Sequence, residues 1–251
     1  MAVPLALLTD AFFQVNLHQG FRFLDTRGEL ILALGDPFQN VQEVTENGLA
    51  TVHLHGPIQA AQPVIELKVN AAAIWVHFRG GVTRASIRQE GPRIVSEACD
   101  VMGVAQLTRQ GLRTYSMFAS PDRESAVRML LGRIVPAADE WQSLGIVQSA
   151  SATLQIAAPP LFANFSVVPV ERAKVTTTLH VPGSPLPPVV EDDQAPELGV
   201  MLDADIYDDR LSDIADSKPH LNKAIGFLDD RLIPLVAKLL GETSDHESYV
   251  R

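Results

Sequence analysis

His53-Leu54-His55 is the first pattern in the chain whose residue types and spacing could do chemistry. Residues two apart on a strand point to one face, so both imidazoles could present a ring nitrogen to one ion. His77 on a later strand is the candidate third ligand of such a metal centre. The competing arrangement puts Val52 and Leu54 in the core and both imidazoles toward solvent. Asp203 and Asp205 share a strand face in the same way, within a run that continues through Asp208, Asp209, Asp213 and Asp216. Paired carboxylates suit Mg²⁺ or Ca²⁺ and metal-assisted phosphoryl chemistry. The run does not match an EF-hand, and Asp213 and Asp216 equally stand where they would cap a following helix. Cys99 falls on the apolar side of a helical pattern, where a thiol behaves as a small core hydrophobe. Phosphate-loop, dinucleotide, nucleophile-elbow and zinc-protease motifs are absent. No catalytic residue and no cofactor is therefore assigned, and the two groups remain candidate metal ligands only.

The elements that must position these residues follow from periodicity. Phe13, Val15 and Leu17 alternate with polar neighbours, the signature of a half-buried strand. Glu29 to Leu34, after a Thr-Arg-Gly turn, reads as its hairpin partner, and strands follow at 51–55, 64–69 and 73–79 with Asn70 turning the last two. Arg84 to Met102 has helical spacing, with Gly91-Pro92 as a kink or true start and Gly103 as the stop. Strands are expected at 104–109 and 112–118, a helix opening at Ser120-Pro121, and a helical turn near 137–143. Further strands are expected at 145–156, 161–168 and 175–180, followed by a Pro-rich loop over 181–196. Leu202, Ala204 and Ile206 alternate with Asp203, Asp205 and Tyr207. A last helix over 217–240 carries the stripe Leu221, Ile225, Leu228, Leu232, Leu235 and Leu239, kinked at Pro234. Strands followed by helices, twice, predict an α+β protein of two β-rich halves (1–135 and 136–241). Each is an antiparallel-type sheet covered by helices, with a long C-terminal helix and a disordered tail over 242–251.

Charge is the most specific part of the composition. Residues 1–135 balance, with 12 Lys+Arg against 12 Asp+Glu, whereas residues 136–251 hold 8 against 18 and so carry the whole net charge of −10. That sign disfavours nucleic-acid binding. Arg79, Arg84 and Arg88 on one side, and Glu191, Asp192 and Asp193 on the other, are the candidate partner-binding residues, because opposite patches could orient self-association. A lone cysteine precludes an internal disulfide and fits a cytoplasmic protein. No run of about 18 apolar residues offers a membrane span, and Met1 to Leu8 lacks the basic start of a secretory signal.

Two stretches carry a resemblance. Gly111-Leu112-Arg113-Thr114-Tyr115 resembles a Gly-Leu-Arg-Tyr strand, and Leu202-Asp203-Ala204-Asp205-Ile206-Tyr207 resembles a late Leu-Asp-Ile-Asp-x-Phe strand, of a sporadically distributed family of uncharacterised bacterial proteins of similar length. His220 and Phe227 stand at the spacing of that family's following helix. Thr114-Tyr115 and Pro234-Leu235 depart from its pattern. The resemblance implies a bacterial source and no particular activity. The expectation is thus a cytosolic, non-enzymatic protein-binding or assembly module that recognises a protein partner or itself, as a homodimer. The alternative is a metal-dependent hydrolase or nucleotide-handling enzyme using Asp203 and Asp205, or His53, His55 and His77.

Overall fold

Alternation builds the sheet, as the computed structural model shows over its described residues, 6–35, 38, 40–46, 48–56, 64–133, 149–171 and 196–240. Strand β1 (Leu7–Leu17) buries Ala11, Phe13, Val15 and Leu17 on one face, while Asp10, Phe12, Gln14 and Asn16 line the other. To one side the ladder continues through β5 (Ala73–Arg79), β4 (Val64–Asn70), β3 (Leu49–His55) and β2 (Asn40–Glu46). To the other it runs through β6 (Gln106–Ala119), β9 (Leu198–Asp208), β8 (Leu161–Glu171) and β7 (Ala152–Ala158). A two-residue strand, β10 (Ser212–Asp213), joins the end of β6. The protein is α+β, built on one antiparallel sheet of ten strands with helices packed on it.

Helices α1 (Phe23–Leu34), α2 (Arg84–Met102), α3 (Arg123–Arg133), α4 (Ser217–Phe227) and α5 (Ile233–Leu239) supply the second layer. The α2 boundaries are written in the sequence. Thr83 and Ser86 form a reciprocal capping box, and Gly103 ends the helix in the left-handed conformation with φ 64°, its N–H donating to the Asp100 and Cys99 carbonyls. Pro92 sits inside this helix without ending it. Gly91 beside it lets α2 lie close on the sheet and α4, since an added Cβ would stand 3.1 Å from Phe13 and 3.6 Å from Leu221. Asn70 makes the expected turn, its Oδ1 accepting from the Ala72 and Ala73 N–H groups.

Several expectations are corrected. Glu29 to Leu34 is not a hairpin strand but the second half of α1, whose Phe23, Thr26, Leu30 and Leu34 recur at helical spacing and are buried. The turn-like Thr-Arg-Gly belongs to that helix. The strands expected at 104–109 and 112–118 are one strand, β6, because Gly111 stays in register opposite Tyr207. Helix α3 starts two residues beyond Pro121, and its first turn is capped by Asp122, whose Oδ1 accepts from Ser125 N–H. Neither Asp213 nor Asp216 makes a side-chain cap. The C-terminal helix is broken as Pro234 requires, but through a π-helical turn, Leu228–Leu232, between α4 and α5. The wider turn shifts the buried face of α5 relative to that of α4. Ile233, Val236, Ala237 and Leu240 are buried, while Leu235, expected in the stripe, is 45% exposed. The expected elements at 137–143 and 175–180, the 181–195 part of the loop and the 242–251 tail lie outside the described residues. Among the described residues, no helix is long and apolar enough to cross a membrane.

Candidate functional site

The candidate metal ligands lie on the sheet face away from the helices, in two groups on separate strands. His53 and His55 do share one face of β3, with ring centroids 6.2 Å apart. His77 lies two strands away on β5, and Glu66 of β4 stands between. The rings are engaged by carboxylates rather than turned toward a common point. Glu46 Oε1 is 3.0 Å from His53 Nε2, Glu66 Oε2 is 3.2 Å from His77 Nδ1, and Asp10 Oδ1 is 2.9 Å from His77 Nε2. Arg79 completes the cluster by donating to Glu66 Oε1 at 2.9 Å. Burial alone would raise the Glu66 carboxyl. The contacts of His55 and His77 and the charges of His77 and Arg79 outweigh it, holding Glu66 well below the usual carboxylate range. Burial and the neighbouring Lys68 ammonium push His53 below its ordinary value, against the pull of Glu46. Among the described residues, no group of three or more His, Cys, Asp or Glu side chains is placed to hold a metal ion.

The aspartates meet a similar fate across the next ladder. Asp203 accepts a bidentate pair of hydrogen bonds from Arg113 at 2.9 and 2.7 Å, and Asp205 accepts from Arg109 at 2.8 Å. Each guanidinium also covers an aromatic ring, Arg109 over Tyr207 at 4.3 Å and Arg113 over Tyr115 at 5.3 Å. Arg109 and Arg113 of the first half are therefore paired with Asp205 and Asp203 of the second within one molecule. Of the candidate partner-binding residues, Arg79 is buried against Glu66 and Arg84 is bound to Asp229 at 3.0 Å. Arg88 is exposed on α2, and Glu191, Asp192 and Asp193 lie outside the described residues. Cys99 is fully buried in α2, where burial, then Asp100, pushes its thiol up to about 12, far from a reactive thiolate at neutral pH.

The feature that sequence reasoning missed is on α1. One side of this helix is sealed into the core by Phe23, Leu30 and Leu34. The other carries Leu24 at 57% exposure and Leu32 at 84%, with Phe21 at 80% in the turn before it. Leu24, Gly28 and Leu32 form one i, i+4, i+8 ridge, with Gly28 as a notch between two leucines, and nothing lies within 4 Å of where a Gly28 Cβ would stand. The spacing was legible, but a strand assignment for 29–34 places Leu30, Leu32 and Leu34 on one face and conceals it. Because Gly28 is exposed and its space is open, Gly28→Ala should raise the unfolding free energy by about 1 kcal/mol through helix propensity. An increased urea midpoint at unchanged slope is the measurement. No protein-family model, curated protein or solved structure matches the chain.

Proposed function

We propose that this chain is a cytoplasmic, non-enzymatic protein-binding module whose docking surface is the outward side of α1. One observation carries the reading: Phe21, Leu24 and Leu32, at 80%, 57% and 84% exposure, cluster within twelve residues. Single exposed hydrophobes are ordinary, but three on one short stretch, at and just before a helix already packed by its other side, mark an interaction site. The paired state of the sheet's charged residues supports the same reading, since His77, Asp203 and Asp205 are held by neighbours rather than presented to a substrate. The strand order also supports two halves, 1–135 and 136–241, meeting at the β6–β9 pair, because β1 to β6 lie together on one side of that pair and β9, β8 and β7 on the other. The residues resembling the uncharacterised bacterial family lie on neighbouring elements, β6, β9 and α4, consistent with membership of it.

A photo-crosslinking side chain introduced at Leu32 tests the proposal, with the exposed Arg128 position on α3 as control. Expressed in a bacterial cell, the Leu32 variant should give discrete protein adducts that the Arg128 variant lacks. Leu24→Asp added to the Leu32 variant should abolish them. Absence of any adduct at position 32, or the same adducts at both positions, would overturn the reading.

A further inference from the structure

The rims of the α1 ridge differ, and the difference selects a partner. Asp25 and Glu29 follow the ridge along one side of the helix, both exposed and without an ion-pair partner among the described residues. On the other side Arg27 is already bound to Glu43 at 2.9 Å. Arg22, just before this helix, is turned toward the end of α2, its guanidinium within 2.6 Å of where a Gly103 Cβ would be. The unneutralised rim of the strip is therefore acidic. A second copy of the chain docking antiparallel by the same ridge fits this poorly, and in a parallel pair the acids would meet Arg27, already bound to Glu43. A two-fold axis relating two antiparallel helices brings like flanks together, so Asp25 and Glu29 would face their own counterparts. Anionic lipid headgroups meet the same repulsion.

Resting on the reading of α1 as a docking surface, we infer that its occupant is an amphipathic helix of a different protein. That helix has an apolar stripe with a bulky residue seated over Gly28, and basic residues along the edge that meets Asp25 and Glu29. The ridge Leu24–Gly28–Leu32 is two turns long, about 12 Å, which matches the i, i+4, i+8 row of one partner helix. A large side chain entering between Leu24 and Leu32 would gain contact on three sides, and the missing Cβ at Gly28 is what makes room for it. The basic edge supplies orientation and selectivity rather than the bulk of the affinity.

Two synthetic amphipathic peptides of about 18 residues, long enough to hold a helix, provide the probe. They share one leucine stripe and differ only in Lys or Glu along the edge. Binding to the full chain is read by fluorescence anisotropy at low salt. The Lys-edged peptide should bind about tenfold more tightly than the Glu-edged one, with the gap closing at about 0.5 M NaCl. Asp25→Lys with Glu29→Lys should reverse the preference, and Gly28→Leu should weaken both peptides without lowering the unfolding midpoint. Equal affinities, or a preference that the double reversal leaves unchanged, would overturn the inference. So would sedimentation showing a dimer that Leu32→Asp dissolves, or vesicles of anionic lipid binding in a Leu32-dependent way. If Leu32 adducts form in the cell but the edge charge makes no difference, the docking surface stands and only this partner chemistry fails. If neither peptide binds and no adduct forms, both fail.

Discussion

Glu66→Ala should lower the unfolding free energy by about 3 kcal/mol, the largest single effect expected outside the hydrophobic core. Glu66 is 7% exposed and Arg79 9%, so the ion pair between them is held away from water. Removing the carboxylate leaves the guanidinium with Asp10 as its nearest remaining acid, at 3.9 Å, and deprives His77 Nδ1 of its acceptor. The cost comes from stranding a buried charge rather than from the intrinsic value of the pair. Glu66→Leu combined with Arg79→Met should consequently recover most of the loss. Urea denaturation of the single and double variants measures both. A double variant as unstable as the single one would show that the cluster contributes more than mutual compensation.

Acidification should destabilise the protein well before ordinary carboxylates titrate. His220, 6% exposed on α4, is held at about 4 chiefly by burial, with Lys223 and Arg210 adding to the shift and Asp208 and a hydrogen bond with the Gln110 backbone opposing it. The folded chain therefore keeps this imidazole neutral while the unfolded chain protonates it below its ordinary 6.5. The contribution is complete above pH 6.5 and lost progressively as the pH falls toward 4, to a total of about 3 kcal/mol at 1.36 kcal/mol per unit. His53, also lowered by burial, steepens the same window. Glu66 has the opposite chemistry and a later onset, since its depressed carboxyl contributes until the pH falls below the unfolded carboxylate range. Denaturation midpoints taken across this range should slope more gently in His220→Gln than in the parent chain. Identical slopes would refute the assignment of the acid sensitivity to His220.

Local signals determined much of this architecture before any coordinates. The alternation of Leu202, Ala204 and Ile206 with Asp203, Asp205 and Tyr207 fixed which side chains of β9 share a face. Gly103 marked the end of α2, and Pro234 marked the kink in the last helix, because positive φ and a missing N–H act within a few residues. The start of α2, open in the sequence between Arg84 and Gly91-Pro92, is fixed by the Thr83 cap. Where a signal was ambiguous at short range, tertiary packing decided. Residues 29–34 suit a strand or a helix by their apolar spacing alone, and only the burial of Phe23, Thr26, Leu30 and Leu34 on the side of α1 that packs against α2 selects the helix. Gly111 is a turn signal locally, yet the ladders to β1 and β9 on either side carry β6 straight through it.

The candidate chemistry divides along the same line. The sequence placed His53 with His55 and Asp203 with Asp205, because a pleated strand repeats every two residues. It could not show that Glu46, Glu66 and Asp10 engage the imidazoles, or that Arg113 and Arg109 bind the aspartates. Those contacts join residues 7 to 96 positions apart through strand order, which no local pattern encodes. The sequence also located all of the net charge in the second half of the chain. Tertiary structure showed that Asp203 and Asp205 of β9 are bound to Arg113 and Arg109 of β6, while α1 in the charge-balanced half keeps Leu24 and Leu32 exposed. Charge can be counted along a chain, but whether it is spent within the molecule or left for a partner depends on which strands lie side by side.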